Sequence, residues 1–502
     1  MAGPAMTYSM VDDADVQGLV RFGYGRMTSA SYALVRVKNA AAAKAWLRAA
    51  PVTNAVEKRP PPTTALQIAF TAPGLAQLGL PRSVMEGFSR EFRNGMNTDY
   101  RNRLLGDVDF NAPKHWKWGA PDSEPHLLVM FFAEPEHFDS FVQDTKGETW
   151  NDAFEKVIWL GTSNLDGDEP FGFADGISQP QIDWDQQRQT PCTQLEYTNI
   201  TALGEFLLGY RNEYGKITDR PLLDPDVANA ELLPAVDEPA KKDLGRNGTY
   251  LVMRQLEQNV RDFWKFLHEQ AGGNLAEASH LGAKMVGRTR SGDPLVPIQA
   301  ESVPGTEPRS VKQNQFTYDA DPAGARCPFG AHIRRANPRN SDFPERRISA
   351  LRKLIIILGF GPKGFYDDLI SSVRFHRILR RGREYGSELS PEQALQQPPP
   401  NEPRGLHFIC LNANISRQFE FLQNAWIANT KFSGLTGESD PLLGNLEPMS
   451  GSSVTGNFTI PSESTLRRRI SGLRQFVIVR GGAYFFLPSL RALRYFAGSQ
   501  SP

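Results

Sequence analysis

One stretch, Cys327-Pro-Phe-Gly-Ala-His332-Ile-Arg-Arg-Ala-Asn-Pro-Arg339, decides how the rest of this sequence is interpreted. It places a single histidine, His332, among several arginines. None of the eight histidines in the chain has a second one at the i, i+3 or i, i+4 spacing that puts two metal ligands on one helix face. One histidine can still hold a metal when a macrocycle supplies the other ligands, as haem does, and nearby arginines can pair with its carboxylates. A lone histidine is more often structural, so haem binding is a hypothesis at this point.

A second stretch reads Phe171-Gly-Phe-Ala-Asp175-Gly176. Asp-Gly with flanking glycines is typical of a tight turn. The functional alternative is a carboxylate that bent backbone presents to an apolar pocket. Phe171 and Phe173 would then exclude water and raise the pKa of Asp175, which suits a proton shuttle.

The third stretch, Phe375-His-Arg-Ile-Leu-Arg380-Arg-Gly-Arg-Glu-Tyr385-Gly386, is rich in arginine. Taken alone, it favours a solvated basic face. An arginine beside the apolar Ile378 and Leu379 can instead point into a cavity, where it would stabilise negative charge on a bound oxygen species.

Composition limits the classes of protein to consider. The chain has 502 residues, with 56 basic and 56 acidic side chains, and this balance argues against a dedicated nucleic-acid binder. The sequence has no run of 18 apolar residues, so we expect no membrane-spanning helix. The first residues lack the basic start and apolar core of a secretory signal, which predicts a cytoplasmic protein. The three cysteines share no CxxC spacing and indicate neither zinc nor a redox pair.

Strand and helix patterns alternate through both halves of the chain. Strand-like segments cover 32–38, 64–70, 127–132, 249–254, 406–410, 476–479 and 484–487, and helix-like segments cover 40–50, 74–80, 136–142 and 260–268. Gly481-Gly482 lies between the last two strand segments and predicts a hairpin turn there. A stretch rich in Pro, Asp and Ala between Asp224 and Asn247 indicates the boundary between the two halves.

Gly359-Phe-Gly-Pro-Lys-Gly364 matches the dinucleotide-binding pattern and follows an apolar segment. An acidic residue, Glu384, lies at a suitable distance. However, Pro362 falls inside the phosphate turn, and the motif alone often matches by chance. A nicotinamide-dependent oxidoreductase therefore remains only an alternative.

The three stretches, in this order, resemble the dye-decolorizing peroxidase family. Gly172-Phe-Ala-Asp175-Gly176 is similar to its GxxDG motif, 327–339 to its proximal-histidine segment, and 380–386 to its distal-arginine segment. Further similarity lies at 204–215, 284–294, 418–423, 440–444 and 481–488. One departure is Arg383-Glu384, where relatives often have an apolar residue and proline.

The resemblance implies an α+β fold of two ferredoxin-like domains with antiparallel sheets and peripheral helices. Residues 1–235 would form the N-terminal domain that carries the GxxDG loop. Residues 236–502 would form the C-terminal domain that binds one haem b.

The resemblance also implies roles around the haem. His332 is the axial iron ligand, and Asp440 accepts its other ring N–H and so raises its basicity. Arg339 is the expected partner of a haem propionate. Leu406 and Phe408 would line the distal face, and the alternative for both is plain strand core.

The implied reaction is reduction of hydrogen peroxide, followed by one-electron oxidation of bulky aromatic donors such as dyes and phenols. Asp175 would take a proton from the peroxide and return it to the leaving oxygen, while Arg380 stabilises the charge of O–O cleavage. An aspartate in this role favours acidic pH. Tyr385 is the candidate surface electron relay, although an ordinary packed tyrosine would look the same. We expect no nucleic-acid or membrane partner.

A second function fits His332 alone: binding or handling of haem with little peroxidase turnover. Asp175 and Arg380 speak against it, because a haem-storage protein needs neither residue.

Overall fold

The structure is a computed structural model that describes residues 10–186, 199–298, 309–339, 373–396, 402–446, 455–462 and 466–498. The glycine-rich stretch 359–364 lies outside these residues, as does Cys192. The other two cysteines, Cys327 and Cys410, are buried and free.

Strands are short in the loops and long in the core. They are β1 (Ser29–Val37), β2 (Thr64–Phe70), β3 (Leu127–Ala133), β4 (Phe154–Gly161), β5 (Asp168–Glu169), β6 (Phe173–Ala174), β7 (Gln181–Asp183), β8 (Ile200–Ala202), β9 (Leu222–Leu223), β10 (Lys242–Asp243), β11 (Thr249–Gln258), β12 (Leu379–Arg380), β13 (Arg383–Tyr385), β14 (Gly405–Asn412), β15 (Asn457–Ile460), β16 (Arg468–Ser471) and β17 (Val477–Leu487).

Nine of these strands, within the described part of the chain, form one antiparallel sheet in the order β12-β14-β11-β17-β2-β3-β1-β4, with β13 also paired to β14. The strands that precede residue 235 make up one half of the sheet and those that follow it make up the other. The halves meet where Phe486 pairs with Phe70. The α+β class with antiparallel sheets is confirmed, while the domain boundary at residue 235 stays a prediction.

Helices lie around this sheet. They are α1 (Ala40–Ala49), α2 (Ala72–Gln77), α3 (Arg82–Met85), α4 (Arg90–Asn94), α5 (Asp99–Leu105), α6 (Phe138–Lys146), α7 (Trp150–Ala153), α8 (Val260–Gln270), α9 (Leu275–Val286), α10 (Arg309–Asn314), α11 (His332–Ala336), α12 (Pro391–Leu395) and α13 (Leu490–Phe496), with π-helical turns at Ser416–Glu420 and Leu422–Ile427. None of the helices in the described ranges is long and apolar enough to cross a membrane.

Both faces of the sheet are covered by apolar side chains. The strand β3 is buried along its whole length, so its continuous apolar run fits a strand with two packed faces. Along β11, Tyr250 and Val252 face one core cluster, while Leu251 and Met253 face the other. This alternation follows from the two-residue period of a strand. The helix α8 packs Phe263 and Trp264 into the first cluster, next to the loop that carries Asp175.

The hairpin predicted at Gly481-Gly482 is wrong, because β17 runs through both glycines as one strand of 11 residues. The glycines serve close packing instead of a turn. A side chain at Gly481 would lie 2.5 Å from the Trp118 indole nitrogen, and one at Gly482 would lie 2.6 Å from the Met96 sulfur. The register of β11 with β17 shifts between Gln255 and Leu256, so that Arg480 is an extra residue on β17, as in a β-bulge.

Candidate active site

His332 is the first residue of α11, a helix of five residues that follows a turn closed by the Ala331 N–H on the Pro328 carbonyl. Two arginines of this helix hold it in place. Arg334 donates to Asp321 and to the Cys327 carbonyl, and Arg335 donates to the carbonyls of Trp426, Asn429 and Glu438. These arginines therefore brace the histidine helix.

The His332 ring is oriented by a buried carboxylate. Its Nδ1 lies 2.9 Å from Oδ2 of Asp440, a residue that is 0 % exposed. The other carboxylate oxygen accepts the backbone N–H groups of Leu442 and Leu443. Burial disfavours a charged imidazole, but the Asp440 charge and hydrogen bond outweigh it and raise the pKa of His332. The arrangement fixes the ring and leaves Nε2 as the nitrogen for a metal.

The loop that presents Asp175 needs its two glycines. Gly172 has φ +84° and Gly176 has φ +75°, a region that favours glycine. The Asp175 N–H donates to the Gly167 carbonyl, and the Ala174 N–H donates to the Arg290 carbonyl. These contacts hold the bent backbone on both sides of the carboxylate.

Asp175 pairs with Arg380, whose Nη1 donates to Oδ1 at 2.8 Å. The two side chains are 43 % and 30 % exposed, as expected for groups that line a cavity. Burial of the carboxyl favours its neutral form, but the Arg380 charge and the Gly176 N–H outweigh burial, so the pKa of Asp175 lies below its usual range.

The expected raised pKa of Asp175 is therefore wrong. Phe171 and Phe173 are 2 % exposed and pack on Phe263 and Trp264 of α8. Their rings anchor the loop to the core. Burial alone would raise the pKa of Asp175, but the Arg380 charge and hydrogen bond and the Gly176 N–H together outweigh it.

A cavity of about 340 Å³ joins these groups. His332, Asp175 and Arg380 all line it, and so do Leu406 and Phe408 on β14. Arg380 comes from the short strand β12, which pairs with β14 at Cys410. The structure thus brings together, around one cavity, residues that lie more than 200 positions apart in the chain.

Two buried arginines give the cavity its positive wall. Arg339 donates to the Asn314 and Phe316 carbonyls and stacks on the Phe316 ring at 3.6 Å. Arg288, which sequence reasoning missed, is fixed by the Gly292 and Gln313 carbonyls, and burial lowers its pKa to about 10. An oriented imidazole, apolar walls and guanidinium groups form a donor set that fits haem and its carboxylates.

Sequence reasoning also missed Glu169, which lines the same cavity. Its carboxylate accepts the N–H groups of Phe171 and Phe173 and the side-chain amide of Gln258. Burial raises the pKa of Glu169 to about 7 against these hydrogen bonds. No motif indicates such a residue, because its role depends on how the loop folds back.

The sequence predicts Tyr385 as a surface electron relay, but the structure buries this residue. The residue is 9 % exposed, and its hydroxyl donates to the Leu256 carbonyl at 3.3 Å. Its ring stacks on His407, with centroids 4.5 Å apart, and His407 lines the cavity. The strand β13 carries Tyr385 against β14, which turns the ring inward.

The unusual Arg383-Glu384 pair ties β13 to its neighbours. Arg383 donates to the carbonyls of Tyr24 and Met27, while Glu384 accepts the Leu165 N–H. At this departure from the family pattern, charged side chains that bind backbone groups therefore hold β13 in place.

An imidazole backed by a carboxylate, together with an aspartate–arginine pair in the same cavity, is typical of a peroxidase-type site. No family model matches the chain. It is 31 % identical to the multifunctional dye peroxidase DyP2 of Amycolatopsis sp. over 355 residues. This aligned region covers 68 % of this chain and 63 % of that protein. It is 28 % identical to a dye-decolorizing peroxidase of Exidia glandulosa, over 97 % of this chain and 87 % of the relative.

Solved structures agree with these relatives. The fungal DyP-type peroxidase of Auricularia auricula-judae superimposes with a TM-score of 0.71 at 26 % identity, covering 98 % of this chain and all of that chain (100 %). The chain belongs to the dye-decolorizing peroxidase family, whose members are haem enzymes, and is a peroxidase.

Proposed function

We propose that this peroxidase reduces hydrogen peroxide and oxidises bulky aromatic donors, such as dyes and phenols, in one-electron steps with one haem b per chain. The observation that carries the proposal is the Asp175–Arg380 pair in the same cavity as His332, whose ring Asp440 orients from behind the cavity wall. Storage of haem needs only His332 and Asp440. The Asp175–Arg380 pair adds a proton acceptor and a fixed positive charge.

His332 would hold the haem iron through Nε2, while Asp440 keeps the ring oriented and electron-rich. Arg339 is the proposed propionate partner, and Arg288 offers a second guanidinium on the same wall. Leu406 and Phe408 would keep water away from the distal face. When bound, haem supplies a redox-active iron that receives oxidising equivalents from peroxide and passes them to donors.

Asp175 would accept a proton from hydrogen peroxide and return it to the departing oxygen, which leaves as water. A carboxylate can do this only while ionised, and Arg380 keeps it so by lowering its pKa. Arg380 also stabilises the negative charge that grows on the peroxide as its O–O bond breaks.

Tyr385 is proposed as an internal step of electron transfer between the cavity and the donor. The stack of its ring on His407 supports this role. A bulky donor must then meet the protein at another residue, since Tyr385 itself is buried.

Replacement of Asp175 tests the function. Asp175→Asn should bind haem normally and lose about 10²- to 10⁴-fold in turnover with peroxide, the usual contribution of a general acid–base group. Asp168→Asn is the matched control, an exposed carboxylate on the same loop outside the cavity lining. His332→Ala should lose haem. Haem uptake without peroxide turnover in the unmodified protein would refute the proposal and favour haem handling.

A further inference from the structure

Gln179 makes an unusual contact with the arginine of the site. Its side-chain amide donates from Nε2 to the Arg380 carbonyl at 3.1 Å, and Oε1 accepts the Arg380 N–H at 3.1 Å. One side chain thus satisfies both backbone groups of one residue, as a neighbouring strand would. An amide is suited to this because it carries a donor and an acceptor side by side.

The contact has a clear structural reason. Arg380 ends β12, a strand of two residues at the edge of the sheet. The partner strand β14 receives the next N–H, that of Arg381, at the Ile409 carbonyl. The N–H and C=O groups of Arg380 face the open edge, where Gln179 takes the place of a further strand.

We propose that Gln179 is a positioning residue for the peroxidase reaction, whose amide fixes the Arg380 backbone so that the guanidinium meets Asp175. The proposal rests on the function proposed above. Asp175 and Gln179 lie four residues apart on one loop, so the loop holds Arg380 at two points, the side chain and the backbone. The loop is itself held by Asn199, which donates to the Gln179 carbonyl at 2.8 Å.

Charged groups from several elements face this contact. Arg381 reaches the Arg380 carbonyl at 3.4 Å beside the Gln179 amide. Arg288 donates to Ser178, the preceding residue, at 2.9 Å. Arg377 donates to the Thr201 hydroxyl on β8, the strand that follows Asn199. His332 and Asp175 line the cavity that Gln179 also lines. The surroundings are mainly cationic, so they favour the ionised form of a glutamate placed at position 179.

The test compares Gln179→Glu with Gln179→Leu. Leucine removes both hydrogen bonds, and we expect a loss of about 10- to 100-fold in kcat/KM for hydrogen peroxide, the cost of a small misplacement of a catalytic group. The KM for the aromatic donor and the Soret absorbance per chain should not change, because neither depends on Arg380.

The glutamate variant adds a signature that a merely structural role would not give. An ionised carboxylate cannot donate to the Arg380 carbonyl, so activity should be as low as in Gln179→Leu at neutral pH. A protonated carboxyl offers one donor and one acceptor, as the amide does. Activity relative to the native protein should therefore recover on acidification between about pH 5 and pH 3, because the cationic surroundings hold the glutamate ionised down to its usual range or below. Asp175 stays ionised in the upper part of this range because Arg380 lowers its pKa.

Gln181→Glu is the matched control, since it adds the same charge at an exposed position two residues away. Its activity relative to the native protein should not depend on pH. Full peroxide activity in Gln179→Leu, or a loss in Gln179→Glu that is the same at every pH, overturns the proposal. If Gln179→Leu fails to retain haem, the pH-dependent recovery of Gln179→Glu decides. If Arg380→Leu leaves turnover unchanged, Arg380 needs no positioning and the proposal is also overturned. If the unmodified protein takes up haem but does not turn over peroxide, the proposed function fails instead.

Discussion

Replacement of Arg380 by leucine separates two effects of this residue. The first is the pairing with Asp175 in the resting protein, across 2.8 Å between partly exposed side chains. Opposite charges about 4 Å apart interact by about 1 kcal/mol in water and about 4 kcal/mol near a protein surface, and exposure places this pair near the lower value. An energy of about 1 kcal/mol accounts for less than about tenfold in rate.

The second effect is stabilisation of charge on the breaking peroxide, which is worth about 10²- to 10³-fold when a positioned donor is removed. We therefore expect Arg380→Leu to lower the plateau of kcat/KM for hydrogen peroxide by that larger factor. We also expect the acid limb of the pH profile to move to higher pH, because the pKa of Asp175 rises without the guanidinium.

The assay is kcat/KM for hydrogen peroxide from about pH 2.5 to pH 8 with a saturating donor, beside Arg103→Leu as control for the lost charge. Arg103 is 67 % exposed and lies outside the cavity lining. A plateau loss of tenfold or less with a displaced acid limb would limit Arg380 to ionising Asp175. An unmoved acid limb would refute the pairing itself.

Three further predictions follow from the same contacts. Asp440→Asn keeps the shape of the buried side chain but removes the charge behind His332, so haem affinity should fall about 10- to 100-fold, measured as haem transfer to apomyoglobin. Tyr385→Phe should lower turnover of a bulky dye and leave that of a small phenol unchanged; full activity on the dye would end its role as a relay. The folded-state pKa of Glu169 is raised to about 7, so folding retains a proton that the unfolded chain releases, and stability falls as the pH rises from about 4.5 to 7. Glu169→Gln should flatten this decline by about 1 kcal/mol or more, measured by chemical unfolding at several pH values, and an unchanged slope would contradict it.

The residues predicted from motifs and those found only in the structure differ in the kind of information they need. Asp175, His332 and Arg380 stand in short patterns whose chemistry is local, and the structure places all three on one cavity. Arg339, Leu406 and Phe408 also lie on its wall. Gln179 acts on a backbone 201 positions further along the chain, and such a contact leaves no periodic signal.

The wrong predictions have a common cause. Local chemistry favoured a turn at Gly481-Gly482, and the family resemblance suggested a surface position for Tyr385. Packing decided otherwise, because the Trp118 ring lies where a side chain at Gly481 would be, and the Tyr385 ring stacks on His407 of β14. Both outcomes depend on elements far away in sequence, which propensity and turn signals do not record.

The pKa of Asp175 shows why composition says little about a site. The chain has a formal charge of zero, yet Arg288, Arg339 and Arg380 line the described part of its cavity, and Arg380 contacts Asp175 directly. The direct contact with Arg380 affects the pKa of Asp175 more than the net charge of the whole molecule does. An acid with a lowered pKa can remain a proton acceptor at low pH, whereas the raised pKa expected from the phenylalanines would have kept it protonated there. The Arg380 charge, and not an apolar pocket, therefore favours the ionised form of Asp175 in acidic solution, as its proposed role as a base requires.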